Sequence, residues 1–284
     1  MIATCTDVPV HALADDHSLV AALDVAGYDA SLIPWDDPKH DWRADDLVVI
    51  RSTWDYTLRR EAFLAWTRSV PRLLNSSEVV EWNTDKRYLQ ELADAGIPIV
   101  PTSWSQSAES LAALPDCGEF VIKPTVSAGA RDTRRFGQGD RIAAQAHLES
   151  IVGAGKVAMI QPYVTQIETE GETALVFIGG RFSHAMRKGP LLKLGAAALN
   201  AETFAQDMSL RTATPQQRAL AESVLALVPG GPKRLLYARV DVVPSESGEP
   251  MLIELEVTEP SLFLTEAPGT VDTLVAAIGS SLAG

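Results

Sequence analysis

Residues 239–260, RVDVVPSESGEPMLIELEVTEP, set three carboxylates, Asp241, Glu254 and Glu256, inside two otherwise apolar runs. The runs LLYARVDVV and PMLIELEVT flank a polar turn of Ser, Gly and Pro, the pattern of a β-hairpin. Strand alternation puts Glu254 and Glu256 on one face, because their spacing of two residues is the strand period. If the hairpin pairs as its turn suggests, Asp241 lies opposite them on the neighbouring strand. Three converging like charges repel and need a cation between them. Mg²⁺, a hard ion usually held by one or two carboxylates plus substrate phosphates, meets that need. A lone Glu here would read as a solvated acidic face; RVD with ELE inside apolar strands reads as a metal site.

The rest of the composition is that of an ordinary globular protein rather than a disordered one. The chain has 284 residues, 46% hydrophobic and 21% charged, enough for two or three compact units with a sizeable core. A net charge of −13 argues against nucleic acid as the main partner, so an anionic ligand must be met by local positive charge and metal. Cys5 and Cys117 are too few and too far apart for a disulfide framework or a zinc site, which points to a reducing cytoplasm. No apolar run reaches the roughly 18 residues of a membrane span, and no signal peptide pattern opens the chain. The Ala-rich stretches 108–114 and 196–205 are compositional only.

Residues 2–80 alternate short apolar runs with amphipathic segments, which predicts parallel strands with crossover helices and a ligand site beyond the strands' carboxyl ends. After the third run, VVI, comes RSTWDYT. Arg51, Trp54 and Tyr56 there are candidates to hold a small zwitterion; equally, Trp54 and Tyr56 cap the core while Arg51 pairs with Asp55. NTDKRYLQELADAG predicts one helix capped by Asn83 or Thr84, with Lys86 in its first turn, where a cation is unfavourable unless it reaches an anion. EFVI is a strand that delivers Lys123, and the small residues Ser127, Ala128 and Gly129 after it let backbone N–H groups approach phosphate oxygens. The spacing is neither that of a P-loop nor GxGxxG. A buried strand ends in Gln161, Pro162, Tyr163 and Val164, and two more run across the Gly179-Gly180 turn, ending in Arg187 and Lys188, one of them aimed inward. His184 reads as structural, since no Ser or Cys stands at a meaningful spacing. Residues 189–214 read as a loop and short helix shaping the substrate pocket. ATPQQRALAESVLALV is a helix with Thr214 as cap and Pro215 first, and GTVDTLVAAIGSSLAG closes the chain as another.

In this order, Lys86, Lys123, the SAG loop, QPYV, Arg187-Lys188 and R-x-D-x(12)-E-x-E resemble the ATP-grasp superfamily over most of the chain. RSTWDYT, NTDKRYL, FVIKPTVSAGARDT, FSHAMRKGP and IELEVTEPSLFL are most similar to the ATP-grasp ligase that closes the ring of D-cycloserine and its relatives. The resemblance implies an α/β fold of three parts: an N-terminal α/β domain (1–82), a central lid domain (83–164) and a C-terminal metal-binding domain (165–284), with ATP between the last two. Lys86 and Lys123 would contact phosphates, with Ser127, Ala128 and Gly129 closing over them. Gln161, Tyr163 and Val164 would face adenine, and Glu168 the ribose. Asp241, Glu254 and Glu256 would hold two Mg²⁺ ions. Arg239, one strand period before Asp241, would stabilise the transferring phosphoryl group, and Arg187 or Lys188 the oxyanion that follows. Arg51, Trp54, Tyr56 and Ser261 would meet a small amino-acid-like substrate. One departure is Glu256, where the superfamily commonly has Asn; the added charge calls for a nearby cation such as Arg239 or Lys188.

The implied activity is an ADP-forming carboxylate–amine ligase acting through an acyl phosphate, at its most specific the cyclisation of O-ureido-D-serine to D-cycloserine. Alternatives are an intermolecular amino acid or peptide ligase and a nucleotide-binding protein without catalysis. The expected setting is cytoplasmic, with no nucleic acid or membrane partner and a homodimer left open.

Overall fold

The computed structural model describes residues 1–8, 10–107, 118–194 and 207–283, organised on three sheets. Cys117, the two Ala-rich stretches and the middle of the expected pocket loop, 195–206, lie outside the described residues.

The first sheet holds β1 (Ile2–Thr4), β2 (Leu32–Pro34), β3 (Val48–Ile50) and β4 (Leu73–Leu74), in the order β2-β1-β3-β4 with every pair parallel. Parallel neighbours need crossover connections, and α1 (Val10–Val25) and α2 (Arg60–Ser69) supply two of them. One face buries an aromatic cluster in which Tyr56 stacks on Phe63 at 5.1 Å, beside Trp35, Trp42 and Trp66.

The helix expected from a cap at Asn83 or Thr84 starts only at Tyr88: residues 84–87 separate a preceding helix, α3 (Ser77–Asn83), from α4 (Tyr88–Asp94), so neither Asn83 nor Thr84 caps it. The third sheet explains the break. Its outer strand, Pro250–Glu256, leaves backbone groups unpaired there and just beyond its end, and Asn83 and Tyr88 satisfy them: Asn83 Nδ2 donates to Leu255 O (2.8 Å), Asn83 Oδ1 accepts from Val257 N (3.0 Å), and Leu255 N donates to Tyr88 Oη (2.8 Å). Helix continuity is exchanged for a covered edge, and Lys86 is left in the gap.

The second sheet joins β5 (Ser103–Ser105), β6 (Phe120–Pro124), β7 (Arg134–Phe136) and β8 (Ala158–Pro162) in the antiparallel order β5-β8-β6-β7. Phe120, Ile122 and Phe136 pack on Ala144, Leu148 and Ile151 of α5 (Arg141–Gly153). A short helix, α6 (Ile167–Glu170), follows.

The third sheet is antiparallel: β9 (Glu172–Ile178), β10 (Arg181–Lys188), β11 (Met208–Arg211), β12 (Tyr237–Pro244) and β13 (Pro250–Glu256), in the order β11-β10-β9-β12-β13. It is buried on both faces, as the alternation along β9 shows. Leu175 and Phe177 pack with α4 and α7 (Pro215–Ala226), while Ala174, Val176 and Ile178 pack with α1 and α8 (Thr270–Ala283). Helix α7 starts as expected, with Thr214 Oγ1 accepting from Gln217 N (3.2 Å) and Gln217 Oε1 from Thr214 N (2.9 Å). Asn75, at φ 57°, ties the first sheet to the third, donating to the carbonyls of Tyr237 (2.9 Å) and Val257 (2.6 Å) and accepting from Leu236 N (2.7 Å). No helix of the described residues is long and apolar enough to cross a membrane.

Candidate active site

The hairpin forms as its sequence predicts, with Asp241 opposite Glu254 and Arg239 opposite Glu256. A bulge follows, since Val242 pairs with Leu252 and leaves Ile253 over. Its effect is that Ile253, Glu254 and Glu256 all line one cavity. On β12, Arg239 and Asp241 continue the face that begins with the buried Tyr237, so a hydrophobic face turns ionic within one strand period.

The cations that separate the carboxylates are side chains. Asp241, 1% exposed, takes Lys188 Nζ at 2.5 Å on one oxygen and Arg239 at 2.9 Å on both. Lys188 also reaches Glu172 at 2.8 Å. Arg239 Nη2 bonds Glu256 at 2.6 Å, which supplies the partner that a Glu at this position requires. Glu254 has Lys86 at 3.2 Å. Burial alone would raise the Asp241 pKa; Arg239 and Lys188 outweigh it and hold the carboxyl at about 2. Burial works against the Lys188 ammonium too, but Asp241 and Glu172 more than reverse it and hold the pKa above the usual lysine value. For Glu256, burial wins over Arg239 and pushes the pKa up to about 7.

Lys86 is not in a first helical turn, yet it does reach toward the loop. Its N–H donates to Thr125 O (2.9 Å) and its Nζ to Ser127 O (2.6 Å). Lys123 enters from β6, and its burial lowers its pKa. Between them the loop turns through left-handed backbone at Gly129 (φ 60°), Ala130 (φ 56°) and Asp132 (φ 56°). Two of these three are not glycine, the kind of local strain that persists where surroundings over-determine the backbone. Arg131 spans to the first sheet's side, its Nη1 lying 3.4 Å from Thr57 Oγ1.

These parts enclose a cavity of about 390 Å³. One wall is ionic: Lys86, Lys123, Lys188, Arg239, Glu172, Glu254 and Glu256. The other is apolar, where Val100, Val164, Ile167 and Ile253 form one packed cluster beside Tyr163. A cavity with one wall for charge and one for a flat apolar group suits a nucleotide.

Of the residues singled out in the sequence, Lys86, Lys123, Ser127, Ala128, Gly129, Gln161, Tyr163, Val164, Lys188, Arg239, Glu254, Glu256, Trp54 and Ser261 line this cavity. Five do not. Asp241 sits beneath it, enclosed by its cations. Arg187 alternates away from Lys188 and pairs with Asp207 (2.7 Å). Glu168 is held at the rim by Arg135 Nη1 (2.5 Å) and Tyr163 Oη (2.8 Å). Tyr56 is core, as its stacking on Phe63 requires. Arg51, 3% exposed, pairs with neither a ligand cavity nor Asp55; it bonds Asp16 (3.3 Å) and Pro260 O (3.0 Å), while Asp55 pairs with Arg59. Among the charged groups that line or brace the cavity, Glu259, Glu172 and Arg135 escaped sequence reasoning. Glu259 stands in the same ELEVTEP run, three residues beyond Glu256, and its position was the available signal. Glu172 opens β9, and nothing local marks it. Arg135 stacks on Tyr163 at 3.4 Å from the ring centre and donates to Leu192 O (3.1 Å), so it fixes two parts of the apolar wall.

The donor set fits Mg²⁺. No group of three His, Cys, Asp or Glu side chains is assembled as a metal cage among the described residues. Glu254 and Glu256 face the cavity with side chains about a quarter exposed (25% and 24%) and one side-chain cation each. Two oxygen donors open to a phosphate-sized space match an ion that keeps several of its ligands from substrate and water.

Residues 1–75 match the family model for the N-terminal domain of D-cycloserine synthetase DcsG. The chain is 35% identical over 262 residues to the cycloserine biosynthesis protein DcsG of Streptomyces lavendulae, which covers 87% of each chain. It is similar to the crystal structure of D-cycloserine synthetase DcsG with a TM-score of 0.91 at 31% identity, over 99% of this chain and 98% of that one. The ATP-grasp ligase PsnB, in a complex with a phosphomimetic variant of its minimal precursor, Mg and ADP, shares the fold at a TM-score of 0.63 and 15% identity, over 99% and 98% of the chains.

Proposed function

The chain belongs to the D-cycloserine synthetase family of ATP-grasp ligases, and from that premise we propose that it joins a carboxylate to an amine-type nitrogen through an acyl phosphate, using ATP and Mg²⁺. The observation that carries the proposal is the two-walled cavity, with four buried cations and two open carboxylates facing a cluster of Val, Ile and Tyr. The apolar wall with Gln161, Tyr163 and Val164 receives adenine. Lys86, Lys123 and the backbone of 127–129 receive phosphates, and Glu168 serves the ribose from the rim. Mg²⁺ on Glu254 and Glu256, with Asp241 behind them, would neutralise phosphate charge; two ions are part of the proposal.

A substrate carboxylate oxygen then attacks the γ-phosphorus and ADP leaves, with Arg239 spreading the charge on the transferring group. A nitrogen attacks the acyl carbon and phosphate departs through an oxyanion that Lys188, the inward member of its pair, stabilises. No protein nucleophile takes part, so positioning and electrostatics provide the rate. The specific substrate we propose is O-ureido-D-serine, in which carboxylate and nitrogen belong to one molecule; ring closure leaves the carbamoyl group on the ring nitrogen, and water cleaves that N–C bond, releasing carbamate that breaks down to carbon dioxide and ammonia and leaving D-cycloserine. The domain limits 82/83 and 164/165 belong to the same proposal and are supported by the three sheets, although α4 packs on the third.

Protein, Mg²⁺ and ATP are incubated with a panel of amino acids, O-ureido-D-serine included, and hydroxylamine as trap. Substrate-dependent ADP with a hydroxamate is expected. Neither product across the panel refutes the acyl-phosphate route, and the product mass without trap separates ring closure from joining of two molecules.

A further inference from the structure

Four carboxylates of the site have a cation within 3.2 Å: Glu254 has Lys86, Glu256 has Arg239, Glu172 has Lys188, and Asp241 has Lys188 and Arg239. A fifth does not. Glu259 lines the same cavity with 8% of its surface exposed, and it forms no ion pair with a Lys, Arg or His among the described residues. Its place is nonetheless fixed from two directions. The Tyr56 hydroxyl stands beside its carboxyl group, and Trp54 Nε1 donates to its backbone carbonyl at 3.0 Å. Tyr56 is itself immobilised by stacking on Phe63 in the aromatic core. Trp54 and Ser261, which line the cavity beside it, come from the same two segments. A buried carboxylate that is held in place but lacks a counter-charge is costly unless a ligand provides one.

We propose that Glu259, held by Tyr56 and Trp54, is the receptor for the cationic amino group of the substrate, so that this end of the cavity selects an α-amino acid over a plain carboxylic acid. The inference rests on the ligase reading and names the substrate class of that site. The α-nitrogen of an amino acid is carried by the carbon next to its carboxyl group. Lys188, Arg239 and Glu259 line the same cavity, so one small molecule can present its carboxylate to Arg239 and Lys188 and its ammonium to Glu259. The sharing of the pocket is then chemical: cations for the group to be phosphorylated, and for the group that is not, the one carboxyl group without an ion-pair partner among the described residues, which ionises as the ammonium arrives.

Binding is measured by calorimetry on the full chain with ADP and Mg²⁺, comparing O-ureido-D-serine with its desamino analogue. The unmodified protein is expected to prefer the amino compound by about tenfold or more, the scale of a buried charge-assisted contact. Glu259→Gln keeps the size and the acceptor for Tyr56, loses no ion pair of the fold, and is expected to bring the preference to about twofold or less. A preference retained in Glu259→Gln, or none in the unmodified protein, overturns the assignment. The two readings fail separately. ADP release that depends on the amino acid, with an unchanged preference in the variant, overturns only the ammonium receptor; a preference abolished by the variant, with no ADP from any substrate, overturns only the ligase.

Discussion

At the scale of single residues, the three hairpin carboxylates have the same chemistry but different surroundings. Asp241 is enclosed by two cations, whereas Glu254 has one contact at 3.2 Å and a partly exposed side chain. Asp241→Asn therefore unpairs buried charge and is expected to cost about 3 kcal/mol in chemical denaturation, while Glu254→Gln costs about 1 kcal/mol or less. Both are expected to abolish turnover. Equal stability losses would show that Asp241 is not held as described. The difference carries a pH signature. Because Asp241 is depressed to about 2 from 3.8, its contribution is fully present above its unfolded value and is lost as pH falls through the folded one. The stability gap between the natural chain and Asp241→Asn should thus narrow as pH falls below about 4 and close below about pH 2.

Among the elements, Gly171 shows how tightly the site is seated. It precedes β9 at φ 71° and ψ −178°, and a Cβ there would meet the Lys188 carbonyl at 2.5 Å. Gly171→Ala must displace the strand that carries the ammonium shared by Asp241 and Glu172, in a backbone conformation that L residues avoid. A loss of about 2–4 kcal/mol and a fall in kcat beyond what lost folding explains are expected; unchanged kcat in the folded fraction would separate Gly171 from Lys188. The elements themselves were largely readable, because period-two runs, the GG and SESG turns and the Thr214-Pro215 cap are local signals. The hairpin partners of RVD and ELE were readable for the same reason. What escaped depends on contacts between distant segments. The 84–87 break exists because Asn83 and Tyr88 serve a strand 170 residues later (Asn83 to Leu255 spans 172). Arg51 goes to Asp16 and Pro260 rather than to Asp55, and Glu172 acquires meaning only beside Lys188. Alternation showed that one of Arg187 and Lys188 points inward; which one depends on the sheet.

On the scale of the whole molecule, the cavity is where three sheets contribute to one site: the hairpin from the third, Lys123 and the small-residue loop from the second, Trp54 from beyond the first. Asn75 and Arg51 lock the first to the third, and Arg131 reaches from the loop to Thr57. Crowding carboxylates in such a space makes the free protein a proton reservoir. Burial first, and then neighbouring carboxylates, keep Glu256 near 7 and Glu259 near 8, so both are partly or mostly protonated at neutral pH. A metal ion or an ammonium arriving there expels those protons into the medium. The heat of binding Mg²⁺, ADP and amino acid together should therefore vary linearly with the ionisation enthalpy of the buffer, with the sign of proton release, and the slope counts the protons that leave. An invariant heat would mean that ligands bind elsewhere than at these two glutamates.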